Sequence, residues 1–175
     1  MNLYFIVIGI IDIIFSIIVA IITFFLGFKA LSVFTKEYDD EKEIKNNNIA
    51  VAIISAMFLV CIGIAMQTSA GPGMSALTII LTGASINIVN VLIACGLMLL
   101  FLLIGGFISI LSLFLSIFLM TKISPFKDLK GVMNNNIAIA IIIGAVMLVT
   151  ILLIKDPLAF LFNGLLPKAD YPSPN

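Results

Sequence analysis

Residues 46–66, NNNIAVAIISAMFLVCIGIAM, decide the fold, because the same pattern occurs again at residues 134–154, NNNIAIAIIIGAVMLVTILLI. Eight of the first nine positions are identical at an offset of 88 (134 − 46). Each copy begins with three asparagines, continues as an apolar segment, and follows a charged connection and a longer apolar segment. Self-similarity at a fixed spacing indicates a repeated structural unit. The sequence therefore predicts two copies of one two-helix hairpin.

The composition favours a membrane protein. Of the 175 residues, 62% are apolar and only 10% are charged, which leaves too little polar surface to cover a water-soluble globule. A helix needs about 20 apolar residues to cross a hydrocarbon core of about 30 Å. Four stretches approach or exceed this length: Leu3–Phe28, Ile49–Met66, Val91–Met120 and Ile137–Ile154. We expect an all-α integral membrane protein with four transmembrane helices.

The distribution of lysine predicts how the helices are oriented. The net charge is zero, with nine lysines and nine acidic residues. Seven lysines lie at or within the connections between the first and second and between the third and fourth apolar segments: Lys29, Lys36, Lys42, Lys45, Lys122, Lys127 and Lys130. Lysine is enriched on the cytoplasmic side of membrane proteins. Both connections are therefore predicted to be cytoplasmic, with both termini outside and the two hairpins parallel about an axis along the membrane normal.

Four regions follow from this pattern: a first two-helix repeat at 1–66, a non-cytoplasmic connector at 67–90, a second two-helix repeat at 91–154 and a non-cytoplasmic tail at 155–175. The second helix is predicted to end near Met66, because Gly71-Pro72-Gly73 breaks a helix. The following apolar run, 74–81, is too short to span a membrane. It either lies in the interface, which we favour, or re-enters the bilayer. Pro157 is predicted to close the fourth helix.

Small and polar residues recur at helical spacing within the apolar segments. In the first helix they are separated by three or four positions and share one face, which we expect to point at protein: Gly9, Asp12, Ser16, Ala20, Thr23 and Gly27. Membrane helices associate through close backbone approach at small residues and through hydrogen bonds, because lipid provides no hydrophobic force between them. We predict packing stripes at Gly9, Ala20, Gly27, Ala52, Ala56, Gly105, Ser109, Ser112, Ser116, Ala140 and Gly144.

Asp12 is the candidate residue for a proton or cation site, with Ser16 one helical turn away as a second ligand. Counted from Leu3 at about 1.5 Å per residue, Asp12 lies about 14 Å inside the membrane, close to its midplane. A carboxylate there costs at least about 2.5 kcal/mol, so it must be partnered or protonated. The structural alternatives are a protonated Asp12 that hydrogen-bonds across a helix interface, or an outward shift of the first helix toward the headgroups.

Asn48 and Asn136, the last residues of the two asparagine triplets, are the predicted N-caps of the second and fourth helices. If the hairpins are parallel, both triplets lie at the cytoplasmic rim, where the N-termini of helices favour anionic groups. Contact with a phosphate or a lipid headgroup is the functional interpretation. The structural interpretation is that these asparagines cap the helices and space the connections.

Several classes of function have no support in the sequence. The chain has no histidine, no nucleophile motif and no glycine-rich phosphate loop, so we predict no enzymatic activity, no cofactor and no metal site. The neutral charge balance gives no indication of nucleic-acid binding. Cys61 and Cys95 both lie within apolar segments, where free, buried thiols are favoured over a disulfide between them.

The stretch Thr35–Ala52, TKEYDDEKEIKNNNIAVA, resembles the bacterial and archaeal membrane family catalogued as domain of unknown function 350. The pattern is a Thr at the end of the first helix, a Tyr-Asp-Asp/Glu cluster, an Ile, and Asn-x-Ala-x-Ala at the start of the second helix. A weaker copy lies at Lys122–Ala140. This chain lacks an alanine that is common in the family and has a long C-terminal tail. The resemblance covers roughly residues 5–155. It implies a four-helix inner-membrane protein of undefined activity that is part of an assembly, and it brings no catalytic residues.

Two hypotheses about function follow. The first is a non-enzymatic structural or assembly subunit of a homo- or hetero-oligomeric complex in the cell (inner or cytoplasmic) membrane. Its partners would be the lipid bilayer and either copies of itself or other membrane subunits. The second is a proton- or cation-conducting transport element that uses Asp12.

Overall fold

The structure is a computed structural model that describes residues 3–34, 40–82, 88–123 and 130–166. These residues form the helices α1 (Leu3–Phe34), α2 (Asp40–Lys45), α3 (Ile49–Thr82), α4 (Ile88–Ile123), α5 (Lys130–Met133) and α6 (Ile137–Gly164). Within the described ranges, four helices, α1, α3, α4 and α6, are long and apolar enough to cross a membrane. The predicted all-α class with four membrane-length helices is confirmed. The orientation in the membrane and the relation between the two repeats stay predictions.

The asparagine triplets determine where α3 and α6 begin. Asn47 and Asn135, the middle residues of the triplets, have positive φ angles of 61° and 58°. Asparagine tolerates this left-handed conformation better than most residues, so each triplet can turn the chain from a short helix into a long one. The side chains of Asn48 and Asn136 then each accept a hydrogen bond from the backbone N–H three residues further on. These bonds satisfy amides of the first turn, which have no partner within the helix.

The predicted break at Gly71-Pro72-Gly73 is wrong, because α3 continues through it. Proline removes one backbone hydrogen bond from a helix, whereas a helix end in an apolar environment leaves about four carbonyl groups unpaired. Gly73 is buried, and a Cβ added to it would lie 2.8 Å from the Cγ of Met98 in α4. The glycine therefore permits close packing. Residues 74–81 belong to the last turns of α3 and are not a separate segment.

The fourth long helix also extends past its predicted end near Ile154, and Pro157 lies inside it. Leu158 and Phe162 are buried near Phe101 of α4, and the rings of Phe101 and Phe162 stack with their centroids 4.9 Å apart. This packing stabilises the additional turns and offsets the hydrogen bond that proline cannot donate. The prediction that Pro157 closes the helix is therefore wrong. The last part of the predicted tail, 167–175, lies outside the described residues.

Helix α3 is the centre of the packing. It packs against α1, α4 and α6, and α4 also packs against α6. In the described part of the chain, α1 has α3 as its one extensive neighbour. Fourteen of the 31 residues of Ile49–Ile79 in α3 are buried inside the molecule, compared with four of the 24 residues of Gly9–Ser32 in α1. Helix α1 is therefore peripheral, and most of its surface faces outward.

Candidate functional site

The two asparagine turns are in direct contact. The side-chain amide of Asn48 donates to the carbonyl of Met133 at 3.0 Å, and the N–H of Ala50 donates to Oδ1 of Asn135 at 3.1 Å. Both bonds cross from one turn to the other. The beginnings of α3 and α6 are therefore held side by side, at the same end of the helix bundle.

Asn48 and Asn136 differ in their accessibility. Asn48 is buried, and its side-chain amide also donates to the carboxylate of Glu43 at 3.1 Å. Asn136 is exposed, and its Oδ1 accepts from the first turn of α6 at 3.3 Å. A phosphate or a lipid headgroup would therefore reach Asn136 and not Asn48. Headgroup contact by these residues stays a prediction.

Asp12 and Ser16 are both exposed on α1. Asp12 is the tenth residue of α1, which begins at Leu3. Gly27 lies against Leu59, about 15 Å along α3 from its start, and Asp12 is about 22 Å beyond Gly27. Asp12 therefore lies far along α1 from the asparagine turns. Its predicted depth near the membrane midplane and its predicted role as a proton or cation site stay predictions.

The small and polar face of α1 has a covered part and an uncovered part. Thr23 and Gly27 are buried, and a Cβ added to Gly27 would meet the side chain of Leu59 in α3. The preceding residues of this face are all exposed, and we call them the outer α1 face: Gly9, Asp12, Ser16 and Ala20. A Cβ added to Gly9 would have no neighbour within 4 Å. No helix of the described chain covers the outer α1 face.

A groove of about 380 Å³ lies between α1 and α3, next to the outer α1 face. We call it the α1–α3 groove. Ser16, Ala20 and Thr23 line it from α1, and Gly63 and Gln67 line it from α3. Gln67 is not among the predicted residues, because the second helix is predicted to end near Met66. The α1–α3 groove therefore presents hydroxyl and amide groups within an otherwise apolar surface.

A second groove, of about 550 Å³, lies between α4 and α6, and we call it the α4–α6 groove. Ser112 and Ser116 of the predicted α4 stripe line it, together with Val146, Thr150 and Ile154 of α6. The hydroxyl oxygens of Ser116 and Thr150 are 2.7 Å apart and share a hydrogen bond that joins the two helices. Thr150 is not among the predicted residues, because the predicted packing stripe on the last helix ends at Gly144.

A family model matches residues 5–158, which is most of the chain. The chain belongs to the family described as Domain of Unknown Function (DUF350). Among curated proteins and among solved structures, nothing matches it. The resemblance carried by Thr35–Ala52 is thus confirmed. With four membrane-length apolar helices, this DUF350 protein is an integral, multi-pass membrane protein that resides in a lipid bilayer.

The other predicted packing residues of the DUF350 chain lie mostly where helices meet. Four of them are buried: Gly105, Ser109, Ala140 and Gly144. A Cβ added to Gly105 would lie 2.7 Å from the Cβ of Ser69, and one added to Gly144 would lie 2.9 Å from the Cγ of Met57. Small residues thus bring α4 and α6 close to α3. On α3 itself, Ala52 is half-buried and Ala56 is exposed.

The described part of this DUF350 chain holds two cysteines, both free. Cys61 is buried in α3 and Cys95 is exposed on α4. Within the described ranges, no group of three His, Cys, Asp or Glu side chains is placed to hold a metal ion. The polar side chains that line the two grooves carry hydroxyl groups or, at Gln67, an amide.

Proposed function

We propose that this DUF350 protein is a non-enzymatic structural or assembly subunit of a homo- or hetero-oligomeric complex in the cell membrane. One observation carries the proposal: only four of the 24 residues of Gly9–Ser32 in α1 are buried within the chain, although its outer face consists of Gly9, Asp12, Ser16 and Ala20. Membrane helices use residues of this kind for close contact with other helices. An exposed face of this composition is what a subunit interface requires.

The rest of the chain supports this interpretation of the outer α1 face. Residues of the same kind, such as Gly105, Ser109 and Gly144, are buried where α4 and α6 meet α3. A face made of Ile, Leu and Phe, by contrast, gains no hydrophobic free energy when it moves from lipid to a protein contact, because lipid tails are as apolar as these side chains. The outer α1 face has the same composition as the internal contacts, and none of the described helices covers it.

The number of chains in a native-lipid particle tests the proposal. Membranes from cells with low expression are dissolved in a polymer that retains the surrounding lipid, and the mass and composition of the particles are measured. We expect more than one protein chain per particle, either copies of this chain or this chain with another membrane protein. Particles that hold one copy of this chain and no other protein would contradict the proposed function.

A second candidate is proton or cation transport at Asp12. The observation that favours it is that Ser16, Thr23 and Gln67 contribute three polar side chains to the α1–α3 groove. The test is Asp12→Asn in vesicles under an imposed pH gradient, with Asp156→Asn as the control, because Asp156 is an exposed carboxylate on α6. Flux that only Asp12→Asn abolishes would support transport. Vesicles of the wild-type chain without flux would exclude it.

A further inference from the structure

The two halves of the chain can be compared position by position. Helices α3 and α6 begin 88 residues apart, at Ile49 and Ile137. The preceding connection is two residues longer in the second half, 121–136 against 35–48, so α1 corresponds to α4 at an offset of 86 (88 − 2). Burial agrees with this offset, because four residues of α1 and their counterparts in α4 are all buried: Val19 and Gly105, Thr23 and Ser109, Gly27 and Leu113, and Leu31 and Ile117.

Helix α4 has a further buried face, which it presents to α3. Met98 lies against Gly73, and a Cβ added to Gly106 would lie 3.3 Å from the Sδ of Met66. Leu102, between Met98 and Gly106, is 3% exposed. The counterparts of these three α4 residues in α1, 86 positions earlier, are all exposed: Asp12, Ser16 and Ala20. Three of the four residues of the outer α1 face therefore occupy positions that α3 covers in the second half of the chain, whereas the counterpart of Gly9 is the exposed Cys95.

Helices α3 and α6 show the converse difference. Phe58 and Met66 of α3 are fully buried, and the ring centroid of Phe58 lies 6.4 Å from that of Phe114 in α4. The counterparts of Phe58, Ile62 and Met66, 88 positions later, line the α4–α6 groove: Val146, Thr150 and Ile154. Helix α4 covers this surface in the first half, and none of the described helices covers it in the second half.

We infer that the outer α1 face of one copy packs along α6 of a second copy, with Ala20 at the α4–α6 groove, as α4 packs on α3 within the chain. This inference rests on the proposed assembly function and specifies its partner and its surfaces. The partner is a copy of this chain, because both uncovered surfaces belong to the chain and correspond to the two sides of one internal contact. Ala20 then lies opposite Ile154, as Gly106 lies opposite Met66, so that a small residue again meets a large one.

The contact joins two different surfaces, so the copies associate head to tail. Each copy uses its α1 in one contact and its α4–α6 groove in the next. The same contact places α6 of the neighbouring copy at the α1–α3 groove, so one kind of contact fills both grooves. Contacts of this type form a ring when the rotation between copies closes.

Cysteine cross-linking tests the contact in the full chain, with Cys61 and Cys95 replaced by alanine. Ala20→Cys and Ile154→Cys are introduced into separate chains that carry different tags, and the chains are co-expressed and oxidised in the membrane. We expect a covalent dimer that contains both tags. Neither variant alone is expected to form a dimer, because each has only one of the two thiols at the contact.

Two controls define the specificity of the cross-link. Met66→Cys and Gly106→Cys in one chain place thiols at the internal contact and are expected to cross-link without forming a dimer. Ile21→Cys replaces Ala20→Cys as the negative control, because Ile21 and its counterpart Phe107 are both exposed, at 65% and 68%. It is expected to give no dimer with Ile154→Cys.

Steric variants test the head-to-tail direction. Ala20→Trp blocks the outer α1 face and Ile154→Trp blocks the α4–α6 groove, so each alone is expected to yield native-lipid particles with one chain. Together they are expected to form a dimer, because each keeps the surface that the other has lost. Ile21→Trp, on the neighbouring exposed side of α1, is expected to assemble like the wild-type chain. A mixture that stays monomeric, or a single blocked variant that still assembles, would overturn the inference.

The outcomes separate this inference from the proposed function. Particles with several chains, but without a dimer between Ala20→Cys and Ile154→Cys, would overturn the inference and leave the assembly function standing. Particles with one chain and no other protein would overturn both. A cross-link within one doubly substituted chain, with none in the mixture, would mean that α1 fills the groove of its own chain, which also overturns the inference.

Discussion

Gly105→Ala is expected to weaken the contact between α3 and α4. An added Cβ would lie 2.7 Å from the Cβ of Ser69, whereas ordinary contacts are 3.4–4 Å. Rotation of the Ser69 side chain does not relieve the clash, because its Cβ is attached directly to the backbone. Rotation would also break the hydrogen bond from Ser69 Oγ to the Ala65 carbonyl, which is 2.9 Å long. To restore an ordinary contact, the two helices must move apart by about 0.7 Å (3.4 − 2.7).

The magnitude of the effect is the difference of two terms. Excess volume in a well-packed interior costs about 1–3 kcal/mol. Replacement of glycine by alanine within a helix returns up to about 1 kcal/mol, because glycine loses more backbone freedom on folding. We expect Gly105→Ala to lower the free energy of unfolding by about 1–2 kcal/mol. Gly96→Ala on the same helix is the matched control, because a Cβ added there would meet nothing within 4 Å.

Reversible unfolding in mixed micelles measures the free energy of unfolding of each variant relative to the wild-type chain. Gly96→Ala is expected to be neutral or more stable by up to about 1 kcal/mol. Ser69→Gly combined with Gly105→Ala is expected to recover most of the loss, because it removes the opposing Cβ. If Gly105→Ala were as stable as Gly96→Ala, the close approach of α3 and α4 at this glycine would be refuted.

The asparagine turns and the length of α3 can be tested separately. The Asn47→Gly variant is expected to be as stable as the wild-type chain in thermal melts, because glycine adopts positive φ freely. The Asn135→Gly variant is expected to be less stable by about 1 kcal/mol, because the Asn135 side chain accepts a hydrogen bond from the other turn. Asn48→Ala is expected to cost about 2–3 kcal/mol and Asn136→Ala about 1 kcal/mol, because Asn48 is buried and also bonds across the turns. Equal losses in an unfolding titration would contradict this difference. Amide hydrogen exchange at residues 76–80 is expected to be slow, because α3 continues past Pro72. Exchange as fast as in an unstructured connector would mean that α3 ends at Gly71-Pro72-Gly73.

The number of membrane-length helices and the starts of two of them could be predicted from the sequence, because these features depend on residues that are close together in the chain. An apolar run of about 20 residues is sufficient to indicate a membrane-length helix. Asn48 and Asn136 directly precede α3 and α6, and the hydrogen bonds by which they cap these helices span only three residues. Such short-range sequence patterns predict the same local structure in lipid as in water.

The ends of α3 and α6 could not be predicted in this way. Pro72 and Pro157 belong to the signals that end helices in water, yet both lie inside long helices. Side chains of α4, Met98 beside Gly73 and Phe101 beside Phe162, pack against the turns that follow these prolines. Contacts of this kind join residues that are far apart in the sequence, so no local pattern reports them. The part of α1 that α3 covers could not be predicted for the same reason. Helical spacing assigns residues to one face of α1, but it does not show how far along that face the contact with α3 extends.

The side of the membrane on which each asparagine triplet lies tests whether the two hairpins are parallel. Asn46→Cys and Asn134→Cys, both at exposed positions, are made separately in a chain without its native cysteines and labelled with a membrane-impermeant maleimide. Labelling is compared in intact cells and in inverted membrane vesicles. Parallel hairpins with touching turns predict that both sites react only from the cytoplasmic side. Reaction of one site from outside and the other from the cytoplasm would contradict the parallel arrangement and the contact between the turns.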